Sequence, residues 1–355
     1  MGDTTFILTP DNPEWDRWLD RAPHDFHSRA DYHAFAERMG EGRAMLLVHG
    51  REDRFLAWPY LLRDLDNGQT DATSVYGYTG PTGAGLDDAG FLATAWDACR
   101  AAWSEQKLIT LFTRFHPILE NHNIANDFHG DAQPDGGEIL DLGRSVSMDL
   151  TLDEDTRRMQ YPQPLRQDIK KSERQGLVVE LDRDWRFLPE FRDFYRATMK
   201  RNEAADRYLF SDAYFDDLRR ALGPIGHLAV ARVEDDAAAV LLFTVQGAIA
   251  TAHLTGINPK MSRYSPLKAL LDRTCDIARD LAADKFHLGA GRGGAEDSLF
   301  DFKSRFSPDR HMFRAGRWIL DATAHDQMTR ARDTKPTQGF FPAYRAPAQA
   351  DSANP

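Results

Sequence analysis

The stretch that decides the fold runs Leu228-Ala-Val-Ala-Arg-Val233, Glu234-Asp-Asp236, Ala238-Ala-Val-Leu-Leu-Phe-Thr-Val245 and Ile249-Ala-Thr-Ala-His-Leu254. Two apolar runs joined by a short acidic turn read as a β-hairpin, and the next run adds a third strand. After the loop Thr255 to Tyr264, Ser265 stands before Pro266. The pair predicts a helix capped by the serine and opened by proline, whose missing N–H costs nothing in the first turn. That helix is expected to reach about Ala283, and Lys285-Phe-His-Leu288 to close the unit as a strand.

The first half of the chain shows the same order. Helix-like stretches at Pro13 to Leu19 and from about Ser28 come first, the second with Tyr32, Phe35, Ala36 and Met39 on one face. A hairpin comes next, Ala44-Met-Leu-Leu-Val48 returning as Phe55 to Leu62, then the loop Tyr76-Gly-Tyr-Thr-Gly-Pro-Thr-Gly83. Asp88 is placed to cap a helix to about Glu105, and Leu108-Ile-Thr-Leu-Phe112 reads as a buried strand. Hairpin, loop, long helix and strand thus occur twice, each set spanning roughly 60 residues, the length of one αβ unit. The expected fold is α/β (α+β), duplicated.

At 355 residues the chain exceeds one core, so two domains are expected: 1–150 and 151–333, with a tail over 334–355. Phe187 to Leu222 reads as two ordinary helices. The tail is rich in proline, alanine and polar residues, and Ala346 to Pro355 reads as disordered. A hydrophobic fraction of 42% and a charged fraction of 28% are those of a globular protein. The net charge of −11 argues against a surface that coats nucleic acid throughout, while leaving room for a local basic patch. Cys99 and Cys275 are too few for a disulfide framework and read as buried small hydrophobes. The first 20 residues lack a basic, then apolar, leader pattern, and no run approaches the ~18 apolar residues of a membrane span. A soluble, cytoplasmic protein is expected.

Several motifs bear on chemistry. Gly289-Ala-Gly291-Arg292-Gly-Gly294 fits G-x-G-x-x-G and comes directly after a strand, but the next segment, Glu296 to Phe306, is short and ends in a turn. A dinucleotide site needs a helix at once and a second parallel strand with an acidic end. The run therefore reads either as a close approach of backbone to ligand or as a plain tight turn. In the segment after it, Leu299, Phe302 and Phe306 form an apolar stripe that turns Lys303 and Arg305 away from the core. A fixed cation there would meet a phosphate or the oxyanion of an acyl transfer, unless the face is simply solvated. Arg157, Arg158, Arg166, Lys170, Lys171 and Arg174 form a local cationic excess, suited either to phosphates or to a charged helix face. Arg114-Phe-His116-Pro117 lies at a strand end, where His116 reads as a general base or as a satisfied structural residue. His116, His122 and His129 are not at metal-binding spacing, and no metal is expected.

The order of Tyr76-Gly-Tyr-Thr-Gly-Pro81, Arg114-Phe-His-Pro117, Leu165-Arg-Gln-Asp-Ile-Lys-Lys171 with Gly176, Phe194 to Arg201, Tyr208-Leu-Phe210, Tyr214-Phe215 and Leu288-Gly289 through Phe302-Lys303 resembles the FemABX family. These are tRNA-dependent aminoacyltransferases of peptidoglycan cross-bridges and their acetyltransferase-like relatives. The resemblance covers about residues 25–320. It implies two tandem GNAT-like domains around mixed sheets, an acceptor side in the first and a donor side in the second. It implies direct transfer of an acyl or aminoacyl group to an amine without a covalent enzyme intermediate. No tightly bound cofactor is implied; aminoacyl-tRNA or acyl-CoA is the co-substrate and a small-molecule or cell-wall-precursor amine the acceptor. Phe302 and Lys303 fall at the catalytic position, with Gly289, Gly291, Arg292, Arg305, Lys170 and Lys171 on the donor side. Tyr76, Tyr78, Arg114 and His116 fall on the acceptor side.

Two features depart from the family. The helical hairpin that some members carry as a tRNA arm is absent from Phe187 to Leu222. The loop Lys260-Met-Ser-Arg-Tyr-Ser265 has no glycine where an acetyl-CoA enzyme cradles pyrophosphate. Three readings therefore stand: an aminoacyl-tRNA-dependent transferase, an acyl-CoA-dependent N-acyltransferase, and a non-catalytic binding protein on the same double fold.

Overall fold

The computed structural model describes residues 2–66, 68–126, 137–331 and 339–346. His129, residues 334–338 of the tail and the chain end from 347 lie outside the described residues. In chain order the strands are β1 (Thr4–Leu8), β2 (Arg43–Arg51), β3 (Arg54–Asp64), β4 (Thr70–Thr73), β5 (Thr82–Ala84), β6 (Leu108–Arg114), β7 (Glu138–Asp149), β8 (Leu177–Asp182), β9 (Gly226–Val233), β10 (Asp236–Gln246), β11 (Ile249–Ile257), β12 (Lys285–Ala290) and β13 (Arg310–Ile319). The α-helices are α1 (Glu14–Leu19), α2 (Ala30–Arg38), α3 (Ala89–Glu105), α4 (His122–Asn126), α5 (Glu154–Met159), α6 (Gln163–Arg174), α7 (Leu188–Arg201), α8 (Asp212–Leu222), α9 (Pro266–Asp280), α10 (Ser298–Ser304) and α11 (Ala322–Arg330).

The chain divides into a first unit, Met1–Asp141 with Phe313–Pro355, and a second, Leu142–Met312. These divisions differ from those expected at 150/151 and 333/334. The physical reason is that the chain beyond Met312 returns to the first unit's sheet. β13 pairs with β6 from Ala315↔Arg114 to Ile319↔Thr110. Tyr344 is buried in the first unit, its hydroxyl sharing a 2.9 Å hydrogen bond with that of Thr110 and donating to Asp71 at 3.1 Å. Residues 339–346 of the expected tail are thus packed.

Each unit is built on a mixed sheet of the same plan. The first runs β1-β2-β3-β4-β6-β13, with β5 on β3; the second runs β8-β9-β10-β11-β12-β7. All neighbours are antiparallel except one pair in each unit, β4 with β6 and β11 with β12. A long helix, α3 or α9, returns the chain for that parallel pairing in each set, as a βαβ crossover must. The duplication read from sequence is present, with a counterpart of β11 in the first unit that sequence reading overlooked. It is β4, only four residues long.

The cores result from the patterning. In α3, Phe91, Leu92, Ala95, Trp96, Cys99 and Trp103 form one buried stripe, and Asp88 caps the helix by accepting from Phe91 N–H at 3.0 Å. Trp58 packs edge-on to Trp103 and Trp318 at 5.5 and 5.7 Å, contacts worth about 1 kcal/mol each beyond area burial. In the second unit Ala269, Leu270, Cys275 and Ala278 of α9 pack with Ala229, Leu241, Phe243 and Phe286. Both cysteines are buried and free. Ser265 differs from expectation: it sits in the left-handed region at φ 49° and caps nothing, because the chain enters α9 through a tight turn over Pro259–Tyr264.

Candidate functional site

In the second unit β12 lies between β11 and β7. Its parallel ladder with β11 covers only Ile249↔Lys285, Ala250↔Phe286 and Thr251↔His287. Beyond these, no pair joins the two strands among the described residues, although β11 continues to Ile257 and β12 to Ala290. Parallel strands that part in this way open their carboxyl ends, where α/β sheets accept ligands. The β12–β7 ladder shifts register between His287 and Gly289, and Gly289 adopts φ +78°, a turn that an L side chain resists.

The glycines beyond it serve the protein's own backbone. Gly294 N–H donates to the Gly291 carbonyl at 3.1 Å. A Cβ on Gly143 of β7 would lie 1.9 Å from the Gly294 carbonyl oxygen. After β12 come a short turn over Arg292–Gly294 and then a helix of seven residues. The context of a dinucleotide fingerprint is not there, and the run is a tight turn at a strand end.

Lys303 is turned inward, which corrects the orientation expected from the stripe Leu299, Phe302, Phe306. The residue of α10 that goes into the core is Phe300, and Lys303, three positions on, shares its face. Lys303 Nζ donates to the Ala290 carbonyl at 2.7 Å, which places the ammonium at the open end of β12. Burial pushes it down to about 8, with the Asp297 carboxylate opposing the shift. Asp297 also caps α10, accepting from Leu299 and Phe300 N–H at 3.1 Å, and receives Arg292 Nε at 2.8 Å. Phe302 is half-buried and meets Phe306 edge-on at 5.4 Å. Arg305 is exposed.

Two arginines that the sequence did not single out stand beside this locus. The guanidiniums of Arg144 and Arg310 lie over the Phe300 ring at 5.6 and 5.7 Å. Arg144 is also paired through two bonds with Glu296 at 2.6 and 2.7 Å. Arg144 belongs to β7, far back in the chain, and Arg310 opens β13, the strand after α10; neither stands in a motif.

The cationic segment splits in two. Arg157 is buried and bonds Asp276 at 3.0 Å, and Arg158 bonds Asp272, Glu173 and Glu154. These two arginines tie α5 and α6 to α9, so of the six cations they follow the charged-helix-face reading and not the phosphate one. Lys170, Lys171 and Arg174 are exposed on α6. That helix is joined to the turn before α9 by the Ser172 hydroxyl, which donates to the Tyr264 carbonyl at 2.6 Å.

In the first unit the loop from Tyr76 is seated on a buried carboxylate. Asp25 Oδ2 lies 3.2 Å from both His27 Nδ1 and His116 Nε2. Burial alone would raise Asp25; the bonds from His116 and His27 outweigh it and hold the carboxyl well below the usual range. His116 Nδ1 accepts from Leu119 N–H at 3.2 Å, which leaves Nε2 as the donor to Asp25. With both nitrogens engaged and 1% exposure, His116 has the surroundings of the satisfied structural residue, the second of its two readings. Gly77 rests against the His27 ring, where a Cβ would come within 2.0 Å, and Tyr78 meets His27, His116 and Phe313 edge-on at 5.8, 5.9 and 5.1 Å. Tyr76 is 49% exposed, and its carbonyl accepts from the Tyr32 hydroxyl at 2.9 Å. The Arg114 guanidinium lies over Phe112 at 4.9 Å and near Glu41, whose carboxyl burial raises. Tyr76, Tyr78, Arg114 and His116 thus belong to the first unit, while Lys170, Lys171, Gly289, Gly291, Arg292, Phe302, Lys303 and Arg305 belong to the second.

A sheet of this order with parting parallel strands and a crossover helix defines a GNAT-type α/β fold. Residues 160–304 match the acetyltransferase (GNAT) domain family. No curated protein is similar in sequence. Among solved structures, FemX superposes with a TM-score of 0.72 at 12% identity, covering 91% of this chain and 99% of FemX. The C-terminal domain of a putative lysylphosphatidylglycerol synthetase from Agrobacterium fabrum gives 0.52 at 17% identity, covering 89% of this chain and 95% of that one. L-PGS from Bacillus licheniformis gives 0.54 at 14% identity, with 87% and 92% covered. The chain thus has the fold of FemX, built of two GNAT-type units, with the family match falling in the second. Among the described residues no helix is long and apolar enough to cross a membrane.

Proposed function

We propose that the protein is an aminoacyltransferase of FemABX type, moving an aminoacyl group from aminoacyl-tRNA to the amine of a small acceptor such as a peptidoglycan precursor. The observation that carries the reading is Lys303 Nζ held at the open end of β12 by Ala290. One of its three N–H groups is used there, and two remain to meet negative charge. In the reaction the amine nitrogen attacks the ester carbonyl carbon, and the carbonyl oxygen becomes an oxyanion that the ammonium stabilises. Collapse breaks the ester C–O bond, and the ribose hydroxyl leaves with the proton the amine gives up. Phe302 and Phe306 keep the helix packed so that the ammonium is positioned before the charge develops. Aminoacyl-tRNA as donor implies work in the cytoplasm.

The turn before α9 favours aminoacyl-tRNA over acyl-CoA. Several N–H groups there are used internally: Met261 donates to Asn258, Ser265 to Ser262 and Lys268 to Ser265. Pro266 brings none at all. A pyrophosphate cradle needs such groups free. Exposed Lys170 and Lys171 on the adjoining helix suit a polyanion, and we assign them to the donor. Tyr76, Tyr78 and Arg114 serve the acceptor, with His116 supporting their loop.

The test incubates the protein with a labelled aminoacyl-tRNA or labelled acetyl-CoA and an amine-bearing precursor. Label from tRNA appears in the acceptor, and Lys303→Ala lowers the rate about 100-fold, the worth of one oxyanion donor. Transfer from acetyl-CoA alone, or full activity in Lys303→Ala, overturns the proposal.

A further inference from the structure

We propose that the first unit holds a separate binding site for a phosphate ester with an aromatic or other apolar body, between its sheet and the segment 339–346. A cavity of about 600 Å³ lies there, lined among others by Arg63, Phe112, Arg114, Arg317, Phe341 and Arg345. That volume falls in the range of small-molecule pockets and is far larger than a bare anion needs.

The placement is a matter of register. Arg317 of β13 stands opposite Phe112 of β6, and Trp318 opposite Leu111. Leu111 and Trp318 belong to the tryptophan core, so Phe112 and Arg317 take the other face. On β3, Arg63 stands opposite Asp71 and bonds it at 2.7 Å. Arg345 reaches the second oxygen of the same carboxylate at 2.5 Å, which fixes the segment 339–346 over the sheet.

Charge makes the cavity unusual in an acidic chain. Four guanidiniums line it, against Asp71, which two of them share, and Glu41 near Arg114. Four cations less two carboxylates leave an excess of two. Among the described residues Arg317 meets no carboxylate: its terminal nitrogen donates to the Gly339 carbonyl at 2.9 Å. The guanidinium is therefore not neutralised by an acid, and its outward N–H groups can take a phosphate oxygen from the cavity side. The Arg114 and Arg317 guanidiniums lie over Phe112 and Phe341 at 4.9 and 5.7 Å, which orients them while the rings and Phe340 offer apolar surface to the ester's body. The site shares only Arg114 with the residues given to the acceptor, and binding is read without turnover, so it stands or falls independently of the transfer reading.

The test titrates the full chain calorimetrically with phenyl phosphate, inorganic phosphate and phenol at matched ionic strength. Phenyl phosphate is expected to saturate one site, with inorganic phosphate at least about tenfold weaker and phenol silent. Arg317→Gln weakens phenyl phosphate by about tenfold or more, Arg317→Lys recovers part of the loss, and Arg51→Gln in the distant β2–β3 turn changes nothing. Thermal unfolding confirms that each variant is folded; if Arg317→Gln is not, the Arg317→Lys to Arg51→Gln comparison decides. No saturable binding up to about 10 mM, or equal losses in Arg51→Gln and the Arg317 variants, overturns the proposal.

Discussion

Lys303 Nζ donates to the backbone carbonyl of Ala290 across 2.7 Å, so a side chain of α10 is bonded to the last residue of β12. The contact converts an ordinary lysine into a fixed, partly desolvated cation at a strand end.

Its titration sets the first prediction. An activity that needs the ammonium declines as pH rises through about 8, because burial has brought Lys303 down from its ordinary 10.5. The sign for stability is opposite. Between about 8 and 10.5 the unfolded chain holds a proton that the folded one has released, so Lys303 contributes stability as pH rises across that window. Lys303→Met is therefore expected to lower transfer about 100-fold while keeping or raising the unfolding midpoint at about pH 7. A rate flat from about pH 7 to 9.5 contradicts the assignment.

Asp297 opposes the shift of Lys303 and also caps α10. Asp297→Asn keeps a good cap but removes the charge. The alkaline limb of the pH–rate profile should then move to lower pH with little change in thermal stability. An unmoved limb would show that the carboxylate acts only on the helix.

Close backbone packing at the glycine turn gives a stability prediction. Gly143→Ala drives a Cβ into the Gly294 carbonyl oxygen and places alanine at φ +142°. Overpacking and backbone strain together should cost about 2–5 kcal/mol in urea unfolding. Exposed Arg305→Ala should stay within about 0.5 kcal/mol.

His33 is fully buried against Trp15, and burial pushes it down to about 3 despite the 3.2 Å bond of its Nδ1 to the Arg29 carbonyl. The unfolded chain takes up a proton below its ordinary 6.5 that the native state refuses until about 3. Stability is thus lost as pH falls through that window, by up to about 1.4 kcal/mol per pH unit. His33→Phe should flatten the acid limb of a denaturation series between about pH 6.5 and 4; an unchanged slope refutes the assignment.

How much of this was legible beforehand depends on the range of the interaction. The β9–β10 hairpin, α3 with Asp88 and the α9–β12 return are written in runs of adjacent residues, because period-2 and period-3.6 patterning and side-chain caps act within a few positions. The duplication and the place of Lys303 after a glycine-marked strand end were visible for the same reason. β4, at four residues, was too short to show a pattern, and β13 joined the first unit because its partner, β6, lies about 200 residues earlier. The inward turn of Lys303 was hidden because Phe300, not Phe302, won the core position, a choice made by packing against the rest of the unit. His116 was sealed by Asp25, and the arginines around the cavity of the first unit converge from three strands and the 339–346 segment. By itself the sequence determined the two hairpins, the long helix and closing strand that follow each, and that this order occurs twice. Only the tertiary structure decided which charged groups are buried, paired or aimed at open space, since those outcomes depend on contacts between residues far apart in the chain.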